Sequence, residues 1–224
     1  MSSCQSIQMS LVNLRLLCVA ASSISLHLAS TAPNPPLRSE ERITKPTHVE
    51  KILGSWFLRT AQTTLFWVLM VAEGVATTNH LARPESGLLN MALGVVFMVG
   101  GASLRRWCYH ELGQQFTFEL GLLKDHQLIT TGPYRFVRHP SYAAALLVYF
   151  GLFVASPGSW VMDGFFRSSI SGRLLGSLYM CFVLFVITGL VLRIPKEDAS
   201  LKEKFGEEWD HWAAKTYALI PGMF

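Results

Sequence analysis

Arg138 and His139 lie between two prolines, Pro133 and Pro140, and between two tyrosines, Tyr134 and Tyr142. Gly132-Pro133 signals a turn, and the proline ring fixes one backbone dihedral there. Pro140 restricts His139 to extended or turn conformations, so the imidazole is presented at the start of the next segment rather than inside it. That segment, Ala143 to Val154, is apolar. Two nitrogen donors and two hydroxyl-bearing rings in one rigid turn can hold an anionic or aromatic ligand. Taken singly, tyrosine and arginine beside an apolar run are ordinary headgroup anchors. Their compact combination is what points to a site.

A second polar cluster runs from Arg193 to Trp212 and opens Arg193-Ile194-Pro195-Lys196-Glu197-Asp198. Arg193 closes an apolar run, where a cation complements a helix dipole. Pro195 is expected to start a new element, with Glu197 in its first turn. The plain reading is helix punctuation followed by a solvated charge run. The chemical reading gives Arg193 a carboxylate, held by two parallel hydrogen bonds, and gives Glu197 a cation or donor group. The two clusters bracket one helical hairpin, which is expected to bring them to the same side of a bilayer.

The surrounding elements read as membrane helices. Half of the 224 residues are hydrophobic and only 15% are charged, against about a quarter in soluble domains; the mean hydropathy is +0.33. Five runs approach the roughly 20 residues a span requires: about Leu11–Ala29, Ile52–Thr78, Gly87–Leu104, Ser141–Met162 and Leu174–Leu192. The first contains Arg15 and His27 and precedes any acidic residue, so it reads as a membrane helix or a targeting peptide. Arg59 is expected to snorkel to the headgroups, and Glu73, deeper in its run, to face other helices. A Pro-rich linker, Thr31 to Thr47, is expected to be extended. Gly94, Gly100 and Gly101 are candidates for close helix packing. Leu201, Phe205 and Trp209 give the polar tail one apolar helical face, and Gly206 is a candidate break. With a cytosolic C-terminus, fourteen lysines and arginines fall on the cytosolic side and three (Arg83, Arg167, Arg173) opposite. The basic residues form no nucleic-acid arm. Cys4, Cys18, Cys108 and Cys181 have neither zinc nor redox spacing, and His80, His110 and His211 lack ligand spacing, so no metal is called for. No G-x-G-x-x-G follows a candidate strand. The expected fold is therefore an all-α integral membrane protein of about five transmembrane helices. It divides into an N-terminal segment and linker (1–50), membrane helices (51–110) and a catalytic region (111–224).

From Leu112 to Pro221 the order and spacing of motifs resemble the isoprenylcysteine carboxyl methyltransferases. The matching pieces are His126-Gln127-Leu128-Ile129-Thr130-Thr131-Gly132-Pro133-Tyr134, Arg138-His139-Pro140-Ser141-Tyr142, Arg193, Glu197-Asp198, Leu201 and Phe205-Gly206-Glu207-Glu208-Trp209. The paired acidic residues are Glu197-Asp198 here, and Trp209 and Trp212 stand where the family's last helix usually has tyrosines. The resemblance implies an endoplasmic-reticulum enzyme with a cytosolic cofactor site built from the 105–140 connection and the C-terminal helix. It implies methyl transfer from S-adenosylmethionine to the carboxylate of a prenylated protein, farnesyl or geranylgeranyl. By the same resemblance His126, Gln127, Leu128, Ile129, Tyr134, His139, Pro140, Ser141, Tyr142 and Glu197 bind the cofactor, Glu119 is the nearest upstream polar contact, and Arg193 is the catalytic, substrate-binding residue.

Three other readings compete. Sterol-type membrane reductases share an R-H-P-x-Y turn but use NADPH; the Arg193-to-Glu197 spacing and the short chain favour the methyltransferase. Phospholipid N-methyltransferases share the cofactor. A non-catalytic membrane scaffold would keep the helices alone.

Overall fold

The computed structural model describes residues 2–35, 48–79, 81, 83, 85–119, 121, 123, 125–220 and 222. Most of the expected Thr31–Thr47 linker lies outside these residues, as do Arg38, Arg42, Lys45, His80, Lys124 and Pro221. The elements are helical: α1 (Ser2–Ser30), α2 (His48–Gly54), α3 (Trp56–Thr78), α4 (Leu88–Leu112), α5 (Pro140–Ala155), α6 (Ile170–Phe205) and α7 (Glu207–Ala213). Among the described residues, two 3₁₀ turns, Gly113–Gln115 and Gly132–Arg135, and a π-helical segment, Trp160–Phe166, complete the set. The nearest approach to a sheet among the described residues is a parallel bridge between Val137 and Tyr217.

By length and composition α1 from Gln5, α4 through Gln115, and α6 can each cross a membrane. α5 and the π segment make a fourth span if the bent pair is one. α3, expected as a fifth, falls outside this set because Arg59, Gln62, Glu73 and its threonines dilute the apolar run. The expected single run Ser141–Met162 is bent by 63°. Pro157 and Gly158 cause the break, and Gly158 sits at φ +80° with its Cα packed against Gly87.

The break expected at Pro195 does not occur, and α6 runs straight through it. The lost hydrogen bond is offset by anchors on both sides of the ring. Arg193 Nη1 donates to Phe118 O at 2.8 Å, Lys196 Nζ to Glu50 Oε1 at 2.7 Å, and Tyr142 Oη to Glu197 Oε2 at 2.6 Å. The break comes at Gly206, where φ is +55°.

The tightest packing joins α4 to α5. A Cβ on Gly101 would lie 2.7 Å from Ala144 O, and one on Gly151 would lie 2.6 Å from Gly94 O, so small residues on both helices set the spacing. Gly100, grouped with them from sequence, faces open space. The core beside this seam contains Leu26, Ala29, Phe66, Met98, Ala102 and Val148. α1 is thus integral to the bundle. Its Arg15 pairs with Glu73 of α3, and neither side chain is exposed to any extent. Arg15 also donates to the carbonyls of Ser86 (2.7 Å) and Gly158 (2.9 Å), and Glu73 Oε2 accepts from Val161 N at 2.9 Å. This clamp ties α1 to both loops at the end of the bundle away from His139.

Candidate functional site

His139 is the residue before α5, with φ −121° and ψ 57°, the extended-to-turn geometry that a following proline imposes. Pro140 begins the helix, where its missing N–H leaves no hydrogen bond unmade. The C-terminal strand of chain holds this turn from behind. Arg138 N donates to Tyr217 O at 2.8 Å and His139 N to Ala218 O at 3.0 Å. The Arg138 guanidinium donates to Thr216 O at 2.7 Å, and Trp212 Nε1 donates to Tyr134 O at 3.1 Å.

α6 passes in front of the turn. His139 Nε2 lies 2.8 Å from Asp198 Oδ1, and its Nδ1 lies 4.0 Å from Glu197 Oε1. Arg138 Nε is 3.4 Å from Asp198 Oδ2. With the Tyr142–Glu197 hydrogen bond these contacts join the two polar clusters into one charged seam. The imidazole stacks on the Tyr142 ring, with centroids 5.5 Å apart and planes 7° from parallel.

The seam floors a cleft enclosing about 950 Å³, part of it open to solvent. Glu119, His126, Gln127, Leu128, Ile129, Tyr134, His139, Ser141, Tyr142, Arg193 and Glu197 all line it. Pro140 is buried in the helix start behind it and does not. Sequence reasoning did not single out Arg105, Gln115, Phe116 and Phe118, which also line the cleft, beside Arg138, Leu201 and Trp212 of the two clusters. Arg105 is the most connected of these. Its Nη1 donates to Ser141 O and Oγ at 2.7 and 3.1 Å, and its Nε to Ala29 O and Tyr109 Oη at 2.7 and 2.8 Å. A signal existed: Arg105 and Tyr109 are one helical turn apart at the end of an apolar run, a spacing that puts both on one face.

Among the wall atoms that are buried without a hydrogen-bond partner are His126 Nδ1 and Arg193 Nε. Such groups are ordinarily satisfied, so they fit a bound polar molecule. Carboxylates and cations alternate along the seam, an arrangement that suits a zwitterion. Burial, aided by the Lys204 cation, holds the His126 imidazole below its ordinary value of 6.5. Burial also raises Tyr134 well above its ordinary range. Both groups are therefore neutral near pH 7, and a cationic ligand meets no repulsion from His126.

Comparison with known proteins adds a second line. The profile described as the Isoprenylcysteine carboxyl methyltransferase (ICMT) family matches residues 92–203. A probable protein-S-isoprenylcysteine O-methyltransferase of Oryza sativa subsp. indica is 28% identical over 131 residues, 58% of this chain and 60% of the relative. The protein-S-isoprenylcysteine O-methyltransferase of Schizosaccharomyces pombe is 31% identical over 162 residues, 69% of this chain and 61% of the relative. Protein-S-isoprenylcysteine O-methyltransferase B of Arabidopsis thaliana is 28% identical over 130 residues, 57% of each chain. The chain thus spans about 60% of the length of the curated relatives it matches.

Proposed function

Because the chain belongs to the isoprenylcysteine carboxyl methyltransferase family, we propose that it methylates the C-terminal carboxylate of prenylated cysteine in proteins, with S-adenosylmethionine as donor. The proposed setting is the endoplasmic reticulum membrane, with the cleft on its cytosolic face. The observation that carries the reading is the joined seam: Glu197 and Asp198 of α6 meet Tyr142 of α5 and His139 just before it, with Arg193 one turn back in the same cleft. The catalytic region is residues 111–224, supported from α4 by Arg105.

When bound, the donor supplies an electrophilic methyl group on a sulfonium. A substrate carboxylate held at Arg193 would accept that methyl group through one oxygen, and the electron pair of the broken carbon–sulfur bond would stay on sulfur. No proton moves, because the carboxylate is already ionised near neutral pH. The protein's work is alignment and water exclusion. Glu197 offers negative charge to the cationic part of the donor. The His126–Ile129 stretch, Glu119, Tyr134, His139, Ser141 and Tyr142 surround the remainder, and Pro140 acts only by fixing His139. Arg193 orients the substrate carboxylate. One of its prongs is held by Phe118 O at 2.8 Å, which limits how far it can neutralise the nucleophile.

The prenyl group explains the membrane setting, since it can reach the site sideways between helices while the carboxylate stays at the interface. The test uses labelled S-adenosylmethionine and a farnesylated cysteine peptide. Wild type forms labelled ester, and Arg193→Ala and Glu197→Ala each lower kcat/KM at least about 100-fold, the scale of losing one preorganised electrostatic contact. Labelled lipid amine, or hydride transfer from NADPH with no ester, overturns the reading.

A further inference from the structure

Two apolar chambers lead away from Arg193 into the bundle. The near one spans about 620 Å³, part of it open to solvent, and shares Arg105, Phe118, Leu190 and Arg193 with the cleft. Its other walls are mainly apolar, with Leu26, Leu58, Val148 and Val186, but also carry Arg59 and Gln62. The far one spans about 1420 Å³, part of it open to its surroundings, and is lined mainly by apolar side chains, among them Leu146, Phe150, Val183 and Ile187. Tyr149 of α5 lines both chambers. Its hydroxyl accepts a 2.6 Å hydrogen bond from Gln62 Nε2 of α3. Gln62 is buried, so this bond bridges two helices inside an apolar stretch. Separating the pair would leave two polar groups unsatisfied in apolar surroundings, and the partition between the chambers is therefore stiff. α5 and α6 touch each other little along their length. Phe150, Phe153 and Leu184 there are half-exposed or more, and the Tyr179 hydroxyl is buried without a hydrogen-bond partner.

We propose that the Gln62–Tyr149 hydrogen bond measures the prenyl chain. The occupant follows from continuity: a chain attached to a carboxylate held at Arg193 has its first units in the near chamber. A farnesyl group ends before Tyr149. A geranylgeranyl group carries one isoprene unit more, and that unit has to displace the Tyr149 ring to reach the far chamber. The intact pair thus favours the shorter chain, and this inference rests on the activity proposed above.

The experiment compares kcat/KM for N-acetyl-S-farnesylcysteine and N-acetyl-S-geranylgeranylcysteine in the membrane-embedded full chain. Apolar pockets discriminate over a methylene or two by about 10- to 200-fold. Wild type is therefore expected to prefer the farnesyl substrate, and Gln62→Ala and Tyr149→Phe to shift the ratio toward geranylgeranyl by about tenfold. Tyr149→Phe keeps the ring and removes only the hydroxyl, which guards against a folding artefact. Val183→Trp, which narrows the far chamber, moves the ratio the opposite way in the Tyr149→Phe background. Transfer to both substrates with a ratio unmoved in every variant overturns the ruler and leaves the proposed activity standing. Absence of transfer to either substrate from wild type overturns the activity and the ruler together.

Discussion

His126 brings a titratable group to a site otherwise set up for a cation. Its imidazole is buried beside Lys204, and both effects disfavour protonation, so the ring titrates below 6.5. A bound sulfonium adds a further positive charge and pushes that titration lower still. The sign follows: protonation is harder in the complex than in the free protein, so acid weakens binding. Affinity for S-adenosylmethionine should be flat above 6.5 and fall as pH drops through the lowered His126 value. His126→Gln should remove that acid limb and leave affinity at pH 7.5 within about threefold, since glutamine keeps a polar group without the charge. Calorimetric titration of the donor between pH 5 and 8 decides it; an unchanged acid limb in His126→Gln assigns the titration to another group. The contrast with Arg193 is instructive. What tunes Arg193 is geometry, one nitrogen being held by the Phe118 carbonyl.

Among the elements, α1 shows how a feature that looks like weakness in the sequence becomes a fastening in the fold. Arg15 interrupts an apolar run and made a targeting peptide one reading of the segment. Its partner Glu73 lies 58 positions away. No local pattern reveals such a pair, although the inward orientation of Glu73 does follow from its depth in a membrane run. Breaking a buried pair by removing one member costs about 3–5 kcal/mol, because the remaining charge stays buried and uncompensated. Arg15→Ala should accordingly lower the unfolding temperature in mild detergent markedly, while the double variant Arg15→Met with Glu73→Leu should recover most of the loss. If the double variant is as unstable as the single one, the ion pair is not the fastening. The same distinction explains what else was legible. The turn before α5 and the stop at Gly206 are written in adjacent residues, Pro140 and Gly206. The continuity of α6 through Pro195 depends on Phe118, Glu50 and Tyr142, which approach only after folding.

At the scale of the whole molecule, the site draws on chain outside the matched stretch 92–203. Ala29 at the end of α1 accepts from Arg105, and the segment after α7 holds the turn that carries Arg138 and His139. Motif spacing located the two clusters because each is local in sequence. It passed over the terminal segment, whose contribution is made by backbone carbonyls that any residue type supplies. Removing residues 216–224 tests that contribution. The backbone N–H groups of Arg138 and His139 would lose the carbonyls of Tyr217 and Ala218, and the Arg138 guanidinium would lose Thr216 O. Each buried donor left unsatisfied costs about 1–3 kcal/mol, and the turn has two backbone donors to satisfy. It should relax away from α6, loosening His139 from Asp198 and Tyr142 from Glu197. Donor affinity is expected to fall at least about tenfold, with kcat reduced less than KM rises, because in the proposed reaction the chemistry depends on alignment at Arg193 rather than on the strap itself. The clamp at Arg15 lies at the other end of the bundle, so the unfolding temperature should move far less than in Arg15→Ala. A truncated protein that binds donor as tightly as the full chain would mean that Asp198 and Glu197 alone position the turn.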